Sequence, residues 1–133
     1  LPISYERYRQ ASEDALYSER SRVFENLGLT ALELKQEDLA MQHFQRALRL
    51  NANRPLALLS MAELSYNRKD YVAARDYLER FSGLAEQNAR SLLLGIRLAS
   101  VFGNASQAAS YGLQLKRLYP ASREYRLYLS EYK

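Results

Sequence analysis

Bulky and small apolar residues recur along this chain in the same order at a spacing of 34. Phe24, Gly28, Ala40, Phe44 and Ala47 stand one such period before Leu58, Ala62, Ala74, Leu78 and Phe81. Four of these pairs keep their class, bulky with bulky and small with small; Ala47 against Phe81 does not. Each copy holds two runs of helical periodicity, a first helix (A) and a second (B) joined by a polar turn. Two antiparallel helices approach closely only where a small side chain, Gly28 or Ala62, faces another, Ala40 or Ala74. Bulky residues then fill the space on either side. One such pair cannot bury its apolar face alone, so it stacks on the next.

A period of 34 with a small residue midway along helix A and an alanine early in helix B is the tetratricopeptide signature. The fold class read from it is all-α, a tetratricopeptide α-solenoid of antiparallel helix pairs. Residues 3–16 read as a helix B without its helix A, with Ile3, Tyr8, Ala11 and Ala15 as one apolar stripe. That stripe is expected to cap the stack or to pair with a second copy, giving a homodimer. Ser18 is the expected N-cap of helix 1A, with Glu19 favourable to the helix dipole. Repeat 1 then spans 19–52, with Asp38 or Gln36 opening its B helix. Repeat 2 spans 53–86, and Pro55 suits the first turn of its A helix because the missing N–H costs nothing there. Asp70 is the expected cap of its B helix. A degenerate repeat 3 spans 88–120, with Gly95 in the small position, one place short of a full period after Ala62. Asn104 and Ala108 recover the frame. Ser122 opens a capping helix, 122–132, whose inward face is Tyr125, Leu129 and Tyr132.

Composition narrows the function classes. Of 133 residues, 47% are hydrophobic and 26% charged, ordinary for a folded globular chain. No run of about 18 apolar residues is present to span a membrane. The absence of cysteine removes disulfides, thiolate catalysis and zinc–sulfur sites. The chain opens on leucine rather than methionine, with no signal segment, and reads as an excised fragment. A net charge of +4 raises nucleic acid as a partner. The arginines, among them Arg7, Arg22, Arg46, Arg68, Arg90 and Arg117, are spread along the chain and interleaved with acids. They read as a solvated helical surface rather than a basic patch, and no nucleic-acid partner is expected.

Catalytic chemistry has little to stand on. His43 is the single histidine; it precedes the core residue Phe44 and has no evident partner for general-base work. Glu33 and Glu37 are one isolated carboxylate pair. Gly28, Gly95 and Gly112 lie singly within helices as close-packing positions, not in a phosphate-binding loop. No enzyme activity, cofactor or metal site is expected. The best candidate surface is the concave wall that A helices line in this architecture, which takes protein segments. The residues in phase are Arg22, Glu25, Leu29, Leu32, Leu59, Glu63, Tyr66, Asn67, Leu92 and Ile96. Six of them are apolar, and apolar residues outside the core phase mark interaction sites. Tyr71, Tyr77 and Tyr111 are assigned to packing.

Three stretches go beyond the generic repeat: residues 21–29 (SRVFENLGL), 89–102 (ARSLLLGIRLASVF) and 108–120 (AASYGLQLKRLYP). They resemble the C-terminal half of the type IV pilus biogenesis tetratricopeptide lipoproteins, the pilotin family called PilF or PilW. The resemblance runs from about Ala11 to Tyr125. It implies a non-catalytic periplasmic scaffold, held on the outer membrane by a lipidated N-terminal cysteine. Such a protein helps the pilus secretin reach that membrane and multimerise. The lipidated cysteine and the family's earlier repeats do not occur in this sequence, and those repeats offer a second place for the partner groove. A generic tetratricopeptide adaptor for another assembly is the alternative reading.

Overall fold

The computed structural model describes residues 2–132, with side chains for Arg7 and from Arg9 onward. The stripe members Ile3 and Tyr8 therefore lie outside the described side chains. The described residues form seven helices: α1 (Pro2–Glu33), α2 (Glu37–Leu50), α3 (Pro55–Asn67), α4 (Tyr71–Ser82), α5 (Ala89–Val101), α6 (Ala105–Leu118) and α7 (Arg123–Tyr132). The contacts divide the chain into two compact units, Leu1–Met61 and Ala62–Lys133.

Unit 1 is built on α1 and α2. The break expected at Ser18 is not there: α1 runs unbroken through it for 32 residues. Ala11, Ala15, Leu16, Glu19 and Arg20 are good helix formers, and no glycine interrupts before Gly28. Propagation therefore outruns the local capping preference of one serine. Ala11 and Ala15 are exposed on this helix. Gly28 is the close-packing position. A Cβ there would lie 2.6 Å from the Phe44 ring of α2, and Phe44, Ala40 and Ala47 are all fully buried.

Unit 2 holds α4 to α7. Leu92 and Ile96 of α5 meet Leu115 of α6 in its core, with Tyr111, Tyr119, Tyr125 and Tyr128 packed around them. Gly95 takes the face of the Tyr111 ring and Gly112 takes Tyr128. The caps follow local chemistry. The Asp70 carboxylate accepts from Ala73 N–H at 3.4 Å, Asn104 accepts from Gln107 N–H at 3.1 Å, and Asn88 and Ser91 form a reciprocal capping box. Ser122 Oγ accepts from Tyr125 N–H at 3.0 Å. In unit 1, Gln36 occupies the N-cap position of α2 without a side-chain capping bond.

The A helices end alike. Lys35, Lys69 and Gly103 have φ of 60°, 65° and 73°, and each stands one repeat period after the last. At each, the following N–H reaches back to a carbonyl one turn earlier: Gln36 to Ala31, Asp70 to Ser65, Asn104 to Ala99. The chain thus turns sharply from A to B by the same left-handed step. Two of the three steps carry lysine, which strains there, and one carries glycine, which does not. A Cβ at Gly103 would meet nothing within 4 Å, so only the backbone is tested by substitution. Gly103→Ala is expected to lower unfolding free energy by about 1 kcal/mol, read by urea denaturation followed by circular dichroism.

Candidate interaction surface

The expected wall residues fall into two groups. In unit 1, Arg22 is exposed and held by Glu19 at 2.9 Å, while Leu29 and Leu32 are half-buried. Leu59 is only 1% exposed. In unit 2, Asn67 is exposed and Glu63 and Tyr66 are half-buried, but Leu92 and Ile96 are 0% and 1% exposed. Leu59, Leu92 and Ile96 are therefore core residues and offer no side chain to a partner. Leu92 and Ile96 lie one helical turn apart, on the α5 face that packs on Leu115. The apolar stripe expected across the wall is corrected accordingly. Glu25 is also withdrawn from the surface: its carboxylate accepts from Arg54 at 3.4 Å and from Ala57 N–H at 3.1 Å.

What unit 2 presents on this phase is polar and charge-paired. Arg90 of α5 grips Glu63 of α3 with both Nε and Nη2, the Nε bond measuring 3.2 Å. Arg97 of α5 does the same to Glu131 of α7, at 3.2 and 2.6 Å. Bidentate arginine–carboxylate pairs fix both position and orientation. Hydrogen bonding to Glu63 and to Glu131 raises the Arg90 and Arg97 guanidinium pKa values above the ordinary arginine range. Tyr66 lies against Tyr71 with ring centroids 5.4 Å apart. Burial, aided by Tyr132, raises its hydroxyl above the usual tyrosine value. The sequence carried a signal for the second of these ion pairs: Arg97 and Glu131 stand one repeat period apart with opposite sign.

Elsewhere in unit 2, a cleft of about 450 Å³ opens between α4, α5 and α6. Leu98 and Ala99 line it, and the Arg75 guanidinium stacks 4.2 Å from the centroid of Phe102. His43 is half-buried and stacked on Phe24, with centroids 6.2 Å apart. Among the described residues, no three His, Asp or Glu side chains cluster to hold a metal ion. No described helix is long and apolar enough to cross a membrane.

Antiparallel helix pairs whose A-to-B turns recur every 34 residues, at Lys35, Lys69 and Gly103, are those of the tetratricopeptide fold. The Arabidopsis OM64 tetratricopeptide domain has the same fold, with a TM-score of 0.73 at 17% identity, over 84% of this chain and 92% of that one. No protein-family model matches the chain. The chain is 56% identical over 128 residues to the type IV pilus assembly protein PilF of Pseudomonas aeruginosa, covering 96% of this chain and 51% of that protein. The solved structure of P. aeruginosa PilF matches with a TM-score of 0.83, over 96% of this chain and 57% of the other. That of PilW, a widely conserved type IV pilus biogenesis factor, matches at 28% identity with a TM-score of 0.65, over 80% and 49%. The resemblance to the type IV pilus biogenesis tetratricopeptide proteins thus holds in both sequence and structure. The chain spans about half the length of the curated relative it matches.

Proposed function

We propose that this chain is part of a non-catalytic scaffold for type IV pilus assembly, pilotin-like, with the pilus secretin as its protein partner. The observation that carries the reading is 56% identity to a type IV pilus assembly protein along 96% of the chain. In this role the protein works on the periplasmic side of the outer membrane of a Gram-negative cell, anchored by an N-terminal lipid. It holds secretin subunits while they reach that membrane and form their multimer. The docking surface in unit 2 is the tyrosine and ion-pair face around Glu63, Tyr66 and Asn67, where charges are already satisfied by Arg90 and Arg97. In unit 1 it is Arg22, Leu29 and Leu32. A wall of satisfied charges supports recognition by shape and neutral hydrogen bonds more than by charge. The test is to delete the gene in its host and run unboiled membrane fractions on a gel, probing for the secretin. The high-mass multimer is expected to vanish. It returns with the intact gene but not with one lacking residues 21–120. A multimer that persists at the outer membrane without the gene overturns the role.

A further inference from the structure

The links between repeats form one edge of unit 2, and this edge carries cations and leucines together. The first link, 83–88, joins α4 to α5; the second, 119–122, joins α6 to α7. The Tyr119 hydroxyl donates to the Gln87 carbonyl at 3.3 Å, which sets the two links side by side. Leu84 and Leu118 stand one repeat period apart here and are 44% and 57% exposed. The exposure belongs to the fold. Ser82, Gly83 and Leu84 are open to solvent although α5, α6 and α7 all follow them. Lys116, Arg117 and Leu118 hold the same three phases one repeat later and are open as well.

Lys116, Arg117, Arg123 and Arg126 crowd the second link. All four are exposed, and among the described residues none of them pairs with a carboxylate. Arg126 turns back onto the link, its Nη1 donating to the Ala121 carbonyl at 3.1 Å. Glu124 is the one acid of residues 116–126. It lies near enough to Arg90 of α5 to add to the rise in that guanidinium's pKa, after the larger effect of Glu63. The first link adds one more acid, Glu86, which leaves the edge positive. Lys116 and Arg117 suit the last turn of α6, but Arg123 opens α7, where the helix dipole favours an acid. Helix stability does not ask for that cation.

We propose that this edge rests on an anionic phospholipid surface, with the four cations among the headgroups and Leu84 and Leu118 inserted below them. Clustered basic residues are drawn to anionic lipid. Apolar side chains beside them add the buried contact that holds a protein at the interface. Both leucines stand on link turns at an edge, not on the floor of a groove, so a flat bilayer surface touches both at once. An acidic protein would use the cations and leave the leucines bare.

Flotation of this chain with lipid vesicles tests the contact. The chain is expected to float with vesicles of phosphatidylethanolamine and phosphatidylglycerol and to stay behind with phosphatidylcholine alone. Raising the salt is expected to release it. Arg117→Gln and Arg123→Gln are each expected to weaken partitioning by about five-fold, and Lys35→Gln, outside the stretch, to leave it unchanged. Leu84→Ser with Leu118→Ser, both on exposed positions, is expected to weaken it by about ten-fold or more with unchanged helix content. No flotation at low salt overturns the proposal. So does an equal loss from Lys35→Gln, which makes the binding a matter of net charge. A leucine double variant that floats like the parent chain overturns it too, since the edge then reads any acidic surface, a protein's included. None of these readouts depends on the pilus role.

Discussion

Gly28→Ala is expected to destabilise unit 1 by about 1–2 kcal/mol, and Gly28→Leu by more than about 3, from overpacking alone. Alanine is the better helix former by about 1 kcal/mol, so propensity by itself predicts stabilisation. Packing decides the sign. A Cβ at Gly28 would lie 2.6, 2.7 and 2.9 Å from three carbons of the Phe44 ring. That ring is fully buried and rigid, so it cannot step aside as the tip of a lysine could. The helices must part, and the contacts of Ala31, Ala40 and Ala47 loosen with them. A smaller partner relieves the clash: Phe44→Leu in the Gly28→Ala background is expected to cost less than the sum of the two single changes. The chain contains no tryptophan, so the measurement is urea unfolding followed by circular dichroism. Stabilisation by Gly28→Ala sinks the argument.

The same contact explains what the sequence made legible. Small-against-bulky matching at a fixed period is a packing requirement, and packing is what a hydrophobic pattern records. Gly28 as a close-packing position and the cap at Asp70 could therefore be read directly, although Gly28 meets the Phe44 ring and not, as expected, the small Ala40. The shared left-handed step could not, because lysine at 35 and 69 carries no glycine signal. Only Gly103 shows it, and one glycine in a loop is not a pattern. The break at Ser18 failed for the opposite reason: a capping residue is permissive, and the long run of helix formers around it decided. Three apolar wall residues were misassigned because, in α3 and α5, core and surface apolar positions lie a fraction of a turn apart. Leu59, Leu92 and Ile96 sit on the buried side of that line. Arg90 and Arg97, read as members of a solvated surface or passed over, each hold a carboxylate on a neighbouring helix. Pairs that close between helices far apart in the chain leave little trace: Arg97 and Glu131 stand one repeat period apart, but Arg90 and Glu63 do not.

Arg54 illustrates a larger effect hidden in the link between α2 and α3. Its Nε donates to Ser21 Oγ at 2.7 Å, its Nη2 to the Ser18 carbonyl at 2.8 Å and its Nη1 to Glu25 at 3.4 Å. Ser21 Oγ in turn donates to the Ala47 carbonyl at 2.7 Å, and Glu25 accepts from Ala57 N–H at 3.1 Å. One guanidinium thus ties α1 to the start of α3, and through Ser21 to the end of α2. The side chains of Arg54 and Glu25 are only 17% and 11% exposed. Removing one partner of such a pair leaves the other charge dehydrated, so Arg54→Ala is expected to cost about 3 kcal/mol. Arg54→Lys keeps the charge but not the fork; an ammonium cannot serve Ser21, Ser18 and Glu25 together, and about half of the loss remains. The cause can be separated from simple loss of contacts. Glu25→Gln removes the stranded charge yet keeps an oxygen for Ala57 N–H, so the Arg54→Ala/Glu25→Gln double variant should recover about 1 kcal/mol or more over Arg54→Ala. If instead the double variant is the less stable of the two, the buried charge is not what Arg54 neutralises, and its hydrogen bonds to Ser21 and Ser18 carry the whole effect.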